Sequence, residues 1–173
     1  MFPEGHFEDL DYRRYWIQKF SYAIPNDEAL NLILSYSPIV EVGAGLGYWA
    51  HLLDQKGCDI VAYDIDPMPA DNKYINIRAI PWYKIKKCCS NFVPPQDKTL
   101  FICWPPYNHN MAANILKRYK GGVFIYIGEQ RDGCCATDTF FDELDKWNEI
   151  EKLDIPQFEG IHDKLLIYER SQS

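Results

Sequence analysis

Three glycines and an acid stand where a chain could hold a ribose-bearing ligand. Gly43, Gly45 and Gly47 follow the apolar run "IVEV" at 39 to 42. Without side chains, their backbone N–H groups can approach a ligand closely. Asp64 closes the next apolar run about twenty residues later, a spacing that suits a carboxylate accepting hydrogen bonds from ribose hydroxyls. A second group, Trp104-Pro105-Pro106-Tyr107, follows a third such run, and Glu129 a fourth. Tyr107, at a loop-to-helix junction, is a candidate contact to a reacting group. Glu129 is a candidate for orienting a substrate or acting as general base. His162, in "GIHDKLL", is a further base candidate.

These residues need a scaffold that brings strand ends together. Residues 8 to 37 read as helical, with Asn26 as an N-cap and Ala29, Leu30, Ile33 and Leu34 as an apolar stripe. After "IVEV" comes the helix "YWAHLLDQKG", with Trp49, Leu52 and Leu53 on one face and Gly57 as its stop. "DIVAYD" reads as the second strand. Residues 68 to 98 read as irregular, with a third strand at "WYKIK". The buried strand "TLFICW" precedes the helix "HNMAANILKRYK", ended by Gly121, and "GVFIYIG" is another buried strand. The helix "TFFDELDKWNEI" places Phe140, Phe141, Leu144 and Trp147 at core spacing, before the strands "IEKLDIPQF" and "KLLIYER". Strands separated by helices imply an α/β fold, a doubly wound and mostly parallel sheet covered on both faces. The last two strands have too little chain between them for a crossover, so the closing strand should be antiparallel.

Composition narrows the function. At 173 residues the chain reads as a single domain, and 47% hydrophobic residues suffice for a packed core. No apolar run reaches membrane-spanning length, and "MFPEGHFEDLDYRRYW" carries charges where a signal peptide needs an apolar region, so a soluble, cytoplasmic protein is expected. The six cysteines include two vicinal pairs and no C-x-x-C, which reads as reduced thiols rather than a disulfide framework or a metal site. The net charge of -7 argues against strong unspecific nucleic-acid binding. The clusters "WYKIKK" and "LKRYK" read as solvated faces.

Spacing in the glycine turn separates two ligand classes. A dinucleotide fingerprint is G-x-G-x-x-G, whereas the sixth position here is Tyr48. From about residue 36 onward the chain resembles the class I S-adenosylmethionine (SAM)-dependent methyltransferases, whose first motif is an acid followed by G-x-G-x-G. Here that motif is Glu41-Val42-Gly43-Ala44-Gly45-Leu46-Gly47, with "VAYDIDP" as the ribose-binding strand end. The resemblance implies a Rossmann-like core (38–173) under an N-terminal helical cap (1–37), with SAM as cofactor. It implies that Gly43, Gly45 and Gly47 line the amino-acid part of SAM, with Glu41 near its ammonium. Asp64 would hold the ribose and Ile65 cover the adenine edge. In this fold the segment before the core often caps the pocket, so Tyr22 and Pro25 are expected near substrate.

"CWPPY" looks like the Asn/Asp-Pro-Pro-Tyr motif of amino-group methyltransferases, with one departure. In that motif a side-chain oxygen and the first proline carbonyl accept hydrogen bonds from the target amine. Trp104 has an N–H donor and no acceptor, so the Pro105 carbonyl and Tyr107 remain. Trp104 reads either as an aromatic wall for a flat or cationic substrate or as core packing at a strand end. The expected function is methyl transfer to an unidentified small-molecule, protein or nucleic-acid acceptor. The alternative is a SAM-binding regulatory or scaffold protein without transfer. A nicotinamide-dependent oxidoreductase is disfavoured by Tyr48.

Overall fold

The computed structural model describes residues 10–171. Its elements run α1 (Leu10–Lys19), α2 (Asp27–Leu34), β1 (Ile39–Val42), α3 (Tyr48–Gln55), β2 (Ile60–Asp64) and β3 (Ile85–Lys87). They continue with β4 (Thr99–Cys103), α4 (Met111–Arg118), β5 (Val123–Gly128), α5 (Asp138–Leu144), β6 (Trp147–Asp154) and β7 (Lys164–Arg170). One seven-stranded sheet has the order β3-β2-β1-β4-β5-β7-β6. The first five strands are parallel. β7 lies antiparallel to both β5 and β6. The chain is therefore the α/β, doubly wound, mostly parallel sheet with an antiparallel closing strand that its sequence implies. Strand order reverses between β1 and β4, the point beyond whose carboxyl ends open parallel sheets bind their ligands.

Alternation along the central strands builds the two faces. Val40, Val42, Leu100, Ile102, Phe124 and Tyr126 pack toward α4 and α5. Ile39, Ile60, Ala62, Phe101, Ile125 and Ile127 pack toward α2 and α3. Each fully buried Val, Leu, Ile or Phe among them contributes about 1.5–3 kcal/mol of burial free energy. The same period places two acids. Glu41 follows Ile39 by two residues and Asp64 follows Ala62 by two, so both face α3.

Several elements differ from the sequence expectation: α4 ends at Arg118, short of Gly121, and β6 ends at Asp154, leaving 155 to 158 outside the strand. The N-terminal segment is not one helix. It breaks after Lys19, and α2 restarts where the Asn26 side chain accepts the Ala29 N–H at 2.9 Å, with Pro25 just ahead. Residues 8 and 9 of the expected helix lie outside the described residues. α5 ends at Leu144, and Trp147 begins β6 instead of closing the helix; it stays buried, stacked on Tyr119 at 6.0 Å. A three-residue step from Leu144 to Trp147 suits a helix and equally a turn into a strand. β3 starts only at Ile85, because Trp82 leaves the sheet to stack on Phe20 at 5.3 Å and to donate its indole N–H to the Lys19 carbonyl at 2.8 Å. Among the described residues no helix is long and apolar enough to cross a membrane.

Candidate functional site

The glycine turn leaves β1 and is laced to the end of β2. The N–H groups of Gly43 and Ala44 donate to the Tyr63 carbonyl at 2.9 and 3.1 Å, and the Gly45 N–H donates to Asp64 Oδ2 at 2.9 Å. These amides thus hold the turn in place. Two of the glycines are favoured for different reasons. Gly43 has a left-handed φ of +78°, which strains any other residue, while a Cβ there would meet only the movable tip of Met111, at 2.8 Å. Gly47 has φ +72°, and its Cβ would lie 2.9 Å from Tyr83 Cβ. Met111 opens α4, so that helix closes one side of the turn, and the β2–β3 connection closes the other. Tyr48, where a dinucleotide turn needs glycine, is buried against Phe20 and Trp82 at ring distances of 4.9 and 5.2 Å.

Under the turn sit the two acids. Glu41 is 2% exposed, and its Oε2 is buried without a hydrogen-bond partner. Burial first, and the Asp64 carboxylate second, push its pKa up to about 8, with the Ala50 N–H pulling the other way. Asp64 Oδ1 accepts from the Asp66 N–H at 3.0 Å and lies 3.5 Å from Asn72 Nδ2. Burial raises the Asp64 pKa, and the Asp66 and Gly45 amides partly offset it. Asn72, which the sequence did not single out, is buried and also donates to the Asp66 carbonyl at 3.0 Å. Ile65 follows Asp64 and is half exposed.

Beyond β4 the chain turns sharply. Trp104 has φ +50°, a conformation that a bulky residue holds only when its surroundings over-determine it. Two bonds do so: its N–H donates to the Ile127 carbonyl at 2.8 Å, and its indole N–H donates to Asp163 Oδ1 at 2.7 Å. The Pro105 carbonyl accepts the Ala136 N–H at 3.0 Å, and the Asn108 N–H donates to the Ala136 carbonyl at 3.2 Å. The loops after β4 and β5 are thereby joined. Tyr107 is 61% exposed on their outer rim.

Glu129 is buried at the end of β5. Its oxygens accept the Cys134 N–H at 2.7 Å and the His162 N–H at 3.0 Å. Burial pushes its pKa up, but those two amides, with the Cys134 and His162 side chains, outweigh it and leave the carboxyl below its ordinary value. So held, Glu129 ties the β5 loop to the β6–β7 loop. The His162 side chain is exposed.

The structure adds residues the sequence did not flag. Asp163, next to His162, is 1% exposed and anchors Trp104. Burial is the largest influence on it and pushes its pKa up to about 7, while the Trp104 N–H and Arg13 act to lower it. From the N-terminal segment, Tyr22 stacks on Trp104 at 5.3 Å and Arg13 approaches the same ring at 5.4 Å. Tyr22 also donates to the Tyr74 carbonyl at 3.3 Å, joining the N-terminal segment to the β2–β3 connection. Pro25 is half-buried in the same segment. Glu41, the glycines and Asp64 thus gather at β1 and β2, and Trp104, Pro105 and Glu129 at β4 and β5.

These buried acids give a pH signature. A carboxyl whose pKa is higher folded than unfolded binds its proton more tightly when folded, so stability falls as pH rises between the two values. The window runs from 4.5 to about 8 for Glu41 and from 3.8 to about 7 for Asp163. The melting temperature is expected to fall as pH rises from about 5 to about 8, and to fall less steeply in Glu41→Gln. An unchanged slope in that variant would contradict the burial of a titrating Glu41.

No protein-family model matches the sequence, and no curated protein matches it. Solved structures do match its fold. Magnesium protoporphyrin IX methyltransferase from Synechocystis PCC 6803, with bound SAM, superposes with a TM-score of 0.57 at 9% identity, covering 95% of this chain and 93% of that one. The N-methyltransferase NodS from Bradyrhizobium japonicum WM9, in complex with S-adenosylhomocysteine (SAH), gives 0.57 at 15% identity, covering 96% and 95%. The 1,6-didemethyltoxoflavin-N1-methyltransferase of Burkholderia thailandensis gives 0.55 at 12% identity, covering 84% and 78%. The fold is the Rossmann-like fold of class I SAM-dependent methyltransferases.

Proposed function

We propose that this protein binds SAM in the crevice between β1 and β4 and transfers its methyl group to an acceptor. The observation that carries this reading is the buried, unpartnered Glu41 Oε2 under the glycine turn. A buried carboxyl oxygen without a partner is unfavourable, and the ammonium of SAM would supply a donor to Glu41 and draw it to the ionised form. The other roles follow the sheet order. Asp64, at the end of β2, would receive the ribose hydroxyls and Ile65 the adenine edge, while Gly43, Gly45 and Gly47, whose N–H groups are bonded within the protein, would make room for the amino-acid portion by lacking side chains. Structural neighbours that hold SAM or SAH support the choice of ligand.

SAM supplies an already activated methyl on a sulfonium. What remains for this chain is to align the acceptor and exclude water. The cap and the loops after β4 and β5 would do so, with Tyr107 as a contact for the acceptor and Trp104 and Glu129 as positioning residues. The acceptor is a small molecule, a protein or a nucleic acid, the last without help from bulk charge at -7. The cytoplasm is the proposed setting, which six free thiols suit.

A second reading, SAM binding without transfer, is favoured by the internal engagement of the Pro-Pro stretch. The Trp104 indole N–H and the Pro105 carbonyl both bond within the protein. Incubation of the protein with methyl-labelled SAM and cell extract separates the two. Transfer predicts label in a discrete acceptor fraction that disappears when the protein is omitted; SAH binding with no labelled fraction would establish the binder instead.

A further inference from the structure

Arg13 of α1 has a setting unlike that of a solvated surface cation. Its guanidinium carbon lies 5.4 Å from the Trp104 ring centroid and 5.6 Å from that of Phe158, within the range of cation–π attraction. Its Nε is buried and has no hydrogen-bond partner. No carboxylate among the described residues forms an ion pair with it within 4.0 Å, although Asp163 is near enough to feel its charge. The two buried acids of the same edge are otherwise engaged, Asp163 by Trp104 and Glu129 by the Cys134 and His162 amides. Two aromatic rings thus orient a charged fork whose buried N–H lacks an acceptor, an unfavourable state that an incoming oxyanion would relieve.

Its position matches an acceptor subsite. Trp104 follows β4, across the strand-order reversal from the glycine turn and Asp64 on β1 and β2. Tyr22 stacks on the same ring at 5.3 Å, which fixes the segment that carries Arg13. We infer that Arg13 binds an oxyanion of the methyl acceptor, a carboxylate or phosphate, so that the site selects anionic acceptors. This rests on the methyltransferase reading for the word acceptor; the anion site itself does not. A planar guanidinium offers two parallel N–H groups to such an oxyanion, and a neutral group would leave them unpaired, which is how a polar site rejects an analogue.

The test is an equilibrium titration of the full chain with benzoate, phenyl phosphate and benzamide, with and without saturating SAH, followed by tryptophan fluorescence. At least one of the two anions is expected to bind about tenfold or more tighter than benzamide, and Arg13→Gln to abolish that preference. Arg13→Lys, which keeps the charge but not the fork, should retain part of it. The ratio of benzoate to phenyl phosphate affinity tells which oxyanion the site prefers. Equal affinity for the anions and benzamide, no saturable binding of either anion, or a preference that survives Arg13→Gln would overturn the inference. If Arg13→Gln does not fold, the comparison of anions with benzamide on the wild type still decides it. SAH binding in the same samples reports on the cofactor site separately: its failure would sink the methyltransferase reading and leave the anion result standing.

Discussion

Replacing Trp104 with alanine is expected to destabilise the fold by about 3 kcal/mol and to loosen the N-terminal segment from the core. The effect has three parts. The ring packs against the α2–α3 face and carries Tyr22 and Arg13. Its indole N–H is the donor to Asp163, and leaving that buried carboxyl without it adds about 1–3 kcal/mol in the ionised state. Alanine also inherits a left-handed backbone that it adopts poorly. Trp104→Asn separates these parts, since asparagine tolerates such a φ, and its loss therefore reports the ring and the Asp163 bond. Urea unfolding measures both variants. Hydrogen exchange at residues 12 to 24 should rise in both, and a stability within about 0.5 kcal/mol of the wild type would show that Trp104 is a surface residue without structural duty.

Asp64→Ala is expected to weaken SAH binding by about 2–4 kcal/mol, or about 30- to 1000-fold. A charged acceptor for two hydroxyls is lost, and so is the tie that holds the turn, since Asp64 Oδ2 accepts the Gly45 N–H at 2.9 Å. Asp64→Asn keeps an acceptor for the turn but not the charge, and should fall between the wild type and alanine. Unchanged affinity in Asp64→Ala would remove Asp64 from the site.

Much of the sheet was legible because it depends on short-range pattern. Alternation in "TLFIC" and "VFIYI" sorts side chains to two faces, and chain length between strands separates the parallel crossovers from the antiparallel end. The glycine turn and Asp64 were legible for the same reason: a strand end, a turn and an acid at fixed spacing form a local unit. What escaped depends on contacts between distant segments. "GIHD" drew notice for its histidine, yet the His162 side chain is exposed and the neighbouring Asp163 is the buried group, because the β6–β7 loop turns it toward Trp104. Arg13 looks like any cation of a charged helix until Phe158 and Trp104 are placed around it. Trp104 could be read as a free wall because its missing acceptor was visible in the sequence, whereas Tyr22, Arg13 and Asp163 were not visible beside it.

The most direct measurement is calorimetric titration of the wild-type protein with SAH, beside NAD under the same conditions. A site built from Glu41, the glycine turn and Asp64 predicts saturable one-to-one binding of SAH in the micromolar range and no measurable binding of NAD. Absence of SAH binding up to about 1 mM, equivalent to a free energy weaker than about 4 kcal/mol, or tighter binding of NAD than of SAH, would contradict the assignment of this crevice to SAM.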